Sequence, residues 1–163
     1  MSADNWPACI AFTLDEEGGL CDTPGDPGGL TNFGISQRAY PDLDIRNLTR
    51  AAAETIYGRD YWPKVSGDSL PAGVDLMVFD MAVNAGTRES AMILQRCVGV
   101  TADGIVGPLT LLAVKGTDLI GLIKSLRAAQ LAFYESLDGW AEFGQGWTVR
   151  VQRRVEAALA MSS

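Results

Sequence analysis

A chain of 163 residues with 47% apolar and 20% charged residues has the size and composition of one compact globular domain. Its formal net charge of -7 argues against nucleic acid as a partner, because no basic stripe is available to neutralise phosphates. The sequence has no histidine, which excludes Ser–His and Cys–His nucleophiles and the usual His-ligated zinc sites. Among hydrolytic reactions, glycoside hydrolysis is the major class that needs carboxylates alone.

The cysteines and the apolar segments indicate where the chain is made. Cys9, Cys21 and Cys97 form no CxxC pair, and an odd number cannot be fully paired within one chain, so we expect free thiols in a reducing compartment. No stretch approaches the roughly 20 apolar residues of a membrane span. The N-terminus lacks the basic start of a secretory signal. We therefore expect synthesis in the cytoplasm and no stable membrane insertion.

The first predicted element is a helix from Pro7 to Glu16, which Gly18 and Gly19 end. Residues 20–36 are too rich in Gly and Pro for a helix. The apolar residues at their end fit a short irregular hairpin, and these are Leu30, Phe33 and Ile35. This hairpin is the one β-structure that the sequence predicts.

The remaining predicted elements are helical. Apolar residues at three- and four-residue spacing or Ala-rich composition predict helices over residues 49–60, 70–85, 89–98 and 118–138. Pro108 opens a short helix, and Trp147, Val151, Val155 and Leu159 mark a last one. The fold class is therefore mainly α, a helical bundle domain with one small β-hairpin after the first helix.

Glu17 is the strongest candidate for an acid catalyst. It lies at the C-terminal end of a predicted helix, directly before a Gly-Gly turn. The negative end of the helix dipole disfavours a carboxylate there, and partial burial raises the pKa further. A Glu in this position would remain protonated near neutral pH, as a general acid must. Ordinary surface charge is the alternative interpretation of Asp15, Glu16 and Glu17.

Asp26 and Thr31 follow Glu17 by nine and fourteen positions, within a tight Gly- and Pro-rich loop. A hairpin that doubles back would bring both side chains beside Glu17. A second carboxylate can activate water or stabilise an oxocarbenium ion, and a Thr hydroxyl can hold the attacking water. Two alternatives remain for Asp26: it caps its own turn, or it binds calcium together with Asp22.

The run Glu17-Gly18-Gly19, followed by GDPGGLTNFGIS to Ser36, resembles the signature of glycoside hydrolase family 108, a family of peptidoglycan muramidases. The resemblance implies a lysozyme-like fold with Glu17 as the catalytic residue. The Glu, Asp and Thr spacing is also similar to that of the phage-type lysozymes, which supports accessory roles for Asp26 and Thr31. The family usually has an aromatic residue after the EGG motif, where this chain has Leu20.

The second half resembles the predicted peptidoglycan-binding domain that accompanies this family. The matching runs are FDMAVNAGTRESAMILQRCVGVTADGIVGPLT and FGQGWTVRVQRR. We expect a catalytic region over residues 1–95 and a peptidoglycan-binding-like helical region over residues 96–163, packed as one compact unit.

Other side chains are candidates for contact with the substrate. They are Asn32, Tyr61, Trp62 and Asn84. Core packing is the alternative for the two aromatic residues, and a helix C-terminal position is the alternative for Asn84. Arg150, Arg153 and Arg154 could meet substrate carboxylates, but a solvated helix face is the usual explanation of such a cluster.

The leading hypothesis is a lysozyme-type hydrolase that cleaves the β-1,4 bond between N-acetylmuramic acid and N-acetylglucosamine, for host lysis. It needs no metal and no other cofactor. Bacterial peptidoglycan is its expected partner, and a holin-type factor would release the monomeric enzyme to the wall in the periplasm. The alternatives are a non-catalytic wall-binding module and a structural component of a phage or secretion apparatus. An inverting course is favoured over a retaining one, and the carboxyl separation decides between them.

Overall fold

The computed structural model describes residues 5–25 and 28–163. Its helices are α1 (Trp6–Glu17), α2 (Arg50–Asp60), α3 (Val74–Ala85), α4 (Thr87–Val98), α5 (Pro108–Lys115), α6 (Leu119–Glu135) and α7 (Trp140–Met161). Two strands, β1 (Thr31–Asn32) and β2 (Ile35–Ser36), follow α1, and two 3₁₀ turns cover Pro63–Val65 and Gly67–Ser69. The prediction of a mainly α fold with one small hairpin after the first helix is confirmed.

Helix α1 has the limits that its terminal residues favour. Pro7 lies in the first turn, where its missing N–H is tolerated, and Gly18 ends the helix with a φ of 72° while its N–H bonds to the carbonyl of Leu14. Cys9, Ile10 and Leu14 bury the inner face of the helix. Glu17 is consequently the last helical residue, at the edge of the core.

The hairpin is the shortest that the chain can make. Thr31 pairs with Ser36 and Asn32 with Ile35 in antiparallel register. The two connecting residues, Phe33 and Gly34, have φ values of 52° and 77°. Two consecutive positive φ values are the mark of a two-residue type I′ hairpin turn. Phe33 adopts a conformation that a bulky residue rarely takes, so the surrounding structure must hold this turn in place.

Helix α3 is the central helix of the domain. Its residues from Val74 to Ala82 are all buried, and it packs against α1, α4, α6 and α7. The sequence predicted that it begins at Leu70, but Gly73 is its N-cap. A Cβ at Gly73 would lie 2.4 Å from the carbonyl oxygen of Ala158, so only glycine allows α7 to approach α3 this closely.

Helix α7 begins earlier than the sequence predicted. The prediction marked the last helix by Trp147, Val151, Val155 and Leu159. The structure has a continuous helix from Trp140. A Cβ at Gly144 would lie 2.6 Å from the indole of Trp140, so the glycine permits close packing of that ring on the helix surface.

The two halves of the chain share one core. Gln130 of α6 donates a hydrogen bond to the carbonyl of Met77 in α3, and α7 packs along α3 as well. Within the part of the chain that the structure describes, no helix combines the length and apolarity needed to cross a membrane. Cys9 is buried, Cys97 is half-buried and Cys21 is exposed, and all three are free thiols.

Candidate active site

Glu17 lies between the end of α1 and the hairpin turn. Its side chain is 17% exposed, so the carboxyl group is mostly removed from water while one edge remains accessible. The backbone of Gly34 covers it, since a Cβ at that position would lie 2.6 Å from Oε2 of Glu17 and 2.7 Å from the hydroxyl oxygen of Tyr57. Glycine is therefore required at the turn for two reasons, its positive φ and the close approach of the acid.

Arg150 of α7 holds the other side of the carboxyl group. Its Nη2 lies 2.9 Å from Oε1 of Glu17 and 2.8 Å from Oδ1 of Asp80. Its Nε donates a second hydrogen bond to Oδ2 of Asp80, at 3.1 Å. One guanidinium thus bridges the candidate acid on α1 and a buried carboxylate on α3. The planar fork of donors on arginine suits this bridging geometry.

Asp80 is the buried acceptor that anchors this network. It is fully buried and accepts hydrogen bonds from Arg150, from Nε of Arg154 at 2.6 Å and from the hydroxyl of Thr13 at 2.9 Å. Burial alone would raise its pKa, but the neighbouring guanidinium groups of Arg154 and Arg150 outweigh burial and lower the pKa to about 2. Asp80 is therefore ionised, and it anchors Arg150 in the position from which it reaches Glu17.

The pKa of Glu17 is raised above its ordinary value. Desolvation by burial is the main cause, the nearby guanidinium of Arg150 opposes it, and the charges of Asp80 and Glu16 add to the rise. The net direction is that expected for a group that must carry a proton near neutral pH. Contact with Arg150 limits the rise, so the same carboxyl group can also exist as a carboxylate after it has given up its proton.

Two tyrosines extend the site away from Glu17. The hydroxyl of Tyr57 donates to the carbonyl of Phe33 at 2.8 Å, which ties α2 to the hairpin turn. Burial raises the pKa of Tyr57, and the negative charge of Glu17 raises it further, so Tyr57 remains a neutral phenol. Tyr61 packs edge-on against the ring of Tyr57 at a centroid distance of 5.2 Å. It also lines a cavity of about 360 Å³.

The structure does not test the accessory roles predicted for Asp26 and Thr31. Asp26 lies outside the described residues, so its position relative to Glu17 stays a prediction, as does the calcium alternative. Thr31 is half-buried, and its backbone pairs with Cys21 through N···O distances of 2.7 and 2.9 Å. Its hydroxyl lies 3.4 Å from the carbonyl oxygen of Cys21, and its role in holding water stays a prediction. Among the described residues, no group of three acidic, Cys or His side chains is arranged to hold a metal ion.

The predicted substrate-binding residues have different environments. Asn32 is buried, and its amide donates to the carbonyls of Ile45 and Leu48 at 3.1 and 3.4 Å, which holds the hairpin against the following loop. Trp62 is 5% exposed and packs against Trp6 and Phe79. Both side chains are already used inside the protein, which argues against contact with substrate because little of either surface remains available.

Tyr61 and Asn84 keep partial exposure. Tyr61 is half-buried beside the cavity just described. Asn84 lies in the last turn of α3, where its side-chain oxygen accepts a hydrogen bond from the hydroxyl of Tyr134. A role in substrate binding stays a prediction for both residues.

The role of Arg150 was not predicted. A solvated face was the favoured interpretation of the Arg150, Arg153 and Arg154 cluster, yet Arg150 is 9% and Arg154 0% exposed. Only Arg153 is on the surface, where it pairs with Glu16 at 3.4 Å. A signal was present in the apolar run VDLMVFDMAV of α3, because a charged Asp80 inside a fully buried helix requires cationic partners. Two arginines four positions apart on another helix are suitable partners.

A second cavity, of about 710 Å³, lies far along the chain, between α4, the loop after it and α5. Its loop is held by Gln95, which is 1% exposed and bonds to Asp103, Ile105, Thr110 and the N–H of Gly104 at 2.7 to 3.1 Å. Three strongly exposed aliphatic side chains surround this groove, and they are Ile105, Leu109 and Leu112.

The fold and the site together define a class of protein. A mainly helical domain presents one buried, protonatable Glu at a helix end beside a small hairpin, in a chain without histidine. These features are those of a lysozyme-like hydrolase that works with carboxylates.

Comparisons with known proteins assign the family. The profile of glycosyl hydrolase 108 matches residues 10–86, and that of a predicted peptidoglycan domain matches residues 89–152. The solved structure titled "Structure of Brucella abortus SagA" is similar with a TM-score of 0.90 and 38% sequence identity, over 98% of this chain and 96% of that one. No curated protein sequence gives a significant match. The chain belongs to glycosyl hydrolase family 108, and it is a glycoside hydrolase that acts on peptidoglycan.

Proposed function

We propose that this protein is a muramidase that hydrolyses the β-1,4 bond between N-acetylmuramic acid and N-acetylglucosamine, with Glu17 as the general acid. The observation that carries the proposal is the environment of Glu17: its carboxyl group is mostly buried at a helix end, has a raised pKa and retains one accessible edge. Family membership and the absence of histidine support carboxylate-based cleavage of a glycan.

In the proposed reaction, protonated Glu17 donates its proton to the glycosidic oxygen while the bond from that oxygen to the anomeric carbon breaks. Positive charge develops on the sugar ring, as in other glycoside hydrolases. The carboxylate that forms on Glu17 is stabilised by Arg150, which lies 2.9 Å from Oε1 in the structure. Arg150 needs little rearrangement for this task, because its contacts with Asp80 already fix its position.

Water completes the reaction at the anomeric carbon. We assign activation of this water, or stabilisation of the cationic ring, to Asp26, and positioning of the water to Thr31. The stereochemical course follows from the separation of the two carboxyl groups: about 5 Å favours retention, and about 6.5–9.5 Å leaves room for water and favours inversion. An inverting course is the one we propose.

The decisive experiment compares two neighbouring glutamates. Glu17→Gln should reduce the release of reducing ends from purified peptidoglycan by about 10²–10⁴-fold, the usual effect of losing a general acid. Glu16→Gln is the matched control, since Glu16 is 14% exposed, close to the 17% of Glu17, but pairs with Arg153 rather than with Arg150, and it should remain active. Mass spectrometry of the fragments should show N-acetylmuramic acid at the reducing end. If Glu17→Gln cleaves at the parental rate, the assignment is wrong.

Stability of the Glu17→Gln variant separates loss of chemistry from loss of fold. Because the pKa of Glu17 is raised in the folded protein, ionised Glu17 contributes less stability as the pH rises above its ordinary value of 4.5. Neutral Gln avoids this loss. We therefore expect the variant to be at least as stable as the parent at pH 7, as is common for acids at active sites.

The biological setting belongs to the same proposal. We propose a monomer that a holin-type factor releases to the wall in the periplasm, for host lysis. Co-expression with and without a holin tests the release step, since cultures should clear only with it. Light scattering of the purified protein tests the monomer. A protein that sediments with wall sacculi but releases no reducing ends would instead be a binding module.

A further inference from the structure

The cavity beside Tyr61 has a composition that the proposed acid chemistry does not use. It encloses about 360 Å³ between the turn after β2, the end of α2 and the connection between α3 and α4. The rings of Tyr40 and Tyr61 supply flat apolar surface, and Asp60 and Lys64 supply the charged groups.

The carboxylate of this cavity is already occupied. Asp60 accepts a hydrogen bond from the hydroxyl of Tyr40 at 2.7 Å and two more from the guanidinium of Arg59, both at 2.7 Å. These hydrogen bonds, that from Arg59 first, lower the pKa of Asp60 to about 2. Its charge is therefore neutralised within the protein, and few of its lone pairs remain to accept hydrogen bonds from a ligand.

Lys64, in contrast to Asp60, keeps its charge available to a ligand. Its ammonium group is exposed at the cavity, where its charge makes the smallest of the contributions that lower the pKa of Asp60, and no carboxylate of residues 5–25 or 28–163 lies within 4.0 Å of it. Because Arg59 already balances Asp60, the cavity has a net positive charge on the surface of a chain whose formal charge is -7. A local cation of this kind favours an anionic ligand that the protein as a whole would repel.

The cavity lies close to the candidate acid, with the buried ring of Tyr57 between them. Tyr61 lines the cavity and packs against Tyr57. The hydroxyl of Tyr57 and the carboxyl group of Glu17 both lie against the Cα of Gly34. The negative charge of Glu17 also raises the pKa of Tyr61, after the larger effect of burial. A polymer that is cleaved at Glu17 would therefore have its neighbouring groups within reach of the cavity.

We propose that this cavity is a subsite for the peptide stem of the wall polymer, in which Tyr40 and Tyr61 pack against the stem and Lys64 binds one of its carboxylates. The inference rests on the proposed function, since it places the glycan at Glu17. Of the groups on this polymer, the peptide stems carry the carboxylates, and an ammonium on a flexible stem is suited to meet a mobile carboxylate. Asp60 holds the Tyr40 ring in place.

The test uses glycan strands with intact peptide stems and the same strands after their stem carboxylates have been converted to amides, because an amidase would leave a free lactyl carboxylate on each N-acetylmuramic acid. The ratio of kcat/KM between the two substrates is measured for the parent, Lys64→Gln, Lys64→Arg and the control Lys124→Gln. Lys124 is an exposed lysine of α6, so it matches the change of charge elsewhere on the surface. Lys64→Gln should lower the ratio about two- to fivefold, mainly through KM, and added salt should lower the parental ratio similarly. Lys64→Arg should retain the ratio.

Two results would overturn the subsite. One is an unchanged ratio in Lys64→Gln, and the other is an equal loss in Lys124→Gln, which would indicate a general charge effect. Failure of the proposed function is distinguished by calorimetry with the Glu17→Gln variant and stem-bearing strands, which requires no cleavage. If the double variant with Glu17→Gln and Lys64→Gln binds these strands more weakly than Glu17→Gln alone, the subsite is supported even if the parent cleaves nothing. Unchanged binding refutes the subsite.

Discussion

Two buried polar side chains organise two different surfaces of this molecule. Asp80 on α3 is fully buried and charged, and it fixes Arg150, which in turn holds Glu17. Gln95 on α4 is 1% exposed and neutral, and it fixes the loop from Asp103 to Ile105 beside the aliphatic groove. Each satisfies the hydrogen-bonding groups around it, but only the network of Asp80 carries charge to a group that must gain and lose a proton.

The difference between a neutral and an ionic network shows which task each one suits. A neutral amide positions the backbone at small electrostatic cost, which suits a surface that only has to be rigid. A buried ion pair is expensive to desolvate, and one partner cannot be removed without stranding the other. The costly network joins Glu17 and Asp80 of the first half of the chain to Arg150, which both orients the proposed acid and limits the rise of its pKa. The second half of the chain supplies that arginine, so the site requires both matched segments.

Replacing Asp80 with Asn should have the largest effect. Asn has nearly the same shape but no charge, so Arg154, which is 0% exposed, would lose its ionised partner. Breaking a buried pair from one side typically costs about 3–5 kcal/mol of unfolding free energy. Chemical denaturation at pH 7 measures the loss. A cost below about 1 kcal/mol would mean that solvent reaches this network.

The same pair of proteins gives a pH test. The pKa of Asp80 is lowered from 3.8 to about 2 in the folded state, so its stabilising contribution is complete above pH 3.8. That contribution is lost as the pH falls through 3.8 towards 2, because the unfolded state then binds the proton more tightly. The stability difference between parent and Asp80→Asn should therefore shrink over this interval. A constant difference would contradict the charge assignment.

Replacing one glycine by alanine at each of the two surfaces makes a matched pair of variants, and their expected effect is the second largest. Gly34 has a φ of 77° and Gly99, which lines the aliphatic groove, a φ of 75°. A Cβ at Gly34 would lie 2.6 Å from the carboxyl group of Glu17, whereas a Cβ at Gly99 would meet nothing within 4 Å. Both alanine variants should lose about 1 kcal/mol of stability from backbone strain. Only Gly34→Ala should also lose activity, by up to about 100-fold, because it displaces the acid. Equal activities would show that the hairpin turn does not position Glu17.

Much of this arrangement follows from local sequence signals. The helices α1, α2, α4 and α6 agree with their predicted limits within a few residues, since apolar spacing, Pro7 and Gly18 act over short distances. The same signals placed Glu17 at a helix end. The limits of α3 and α7 were less well predicted. Gly73 serves a tertiary contact with Ala158 that no local pattern reveals, and Gly144 lies inside α7, where it makes room for the ring of Trp140 one turn earlier.

The ion network could not be predicted from local pattern. Asp80 and Arg150 are 70 residues apart, and the arginine cluster of α7 has the composition of an ordinary solvated face. Asn32 and Trp62 were predicted to contact substrate because of their residue type, but burial decides their contacts. Pairing at long range depends on how helices pack, and that information is distributed over the whole core.

The neutral network should respond more weakly to mutation. Gln95→Leu removes the amide that serves Gly104 and Ile105, and buried groups left without a partner cost about 1–3 kcal/mol. Hydrogen exchange should accelerate at Gly104. The loss should be the same at pH 5 and pH 8, since Asp103, the titratable group that Gln95 contacts, has a pKa lowered from 3.8 and is ionised at both values. Cleavage of short soluble glycan fragments should not change. A loss of that activity would couple the two surfaces and remove the distinction between them.

The last comparison concerns the pH profile, where the expected change is smallest. Arg150→Met removes a cation that lowers the pKa of Glu17, so the acid should remain protonated to higher pH. Activity that depends on the protonated acid falls as the pH rises through the pKa of that acid. The alkaline limb of the kcat/KM profile should therefore move to higher pH, which changes the relative rate on that limb severalfold. Arg153→Met is the control, because the exposed Arg153 pairs with Glu16 rather than with Glu17 and should leave the limb in place. Arg150→Lys separates charge from geometry, since it keeps the cation but not the planar fork that bridges Asp80 and Glu17. If the limb of Arg150→Met moves downward or remains fixed, the group that titrates in catalysis is not Glu17.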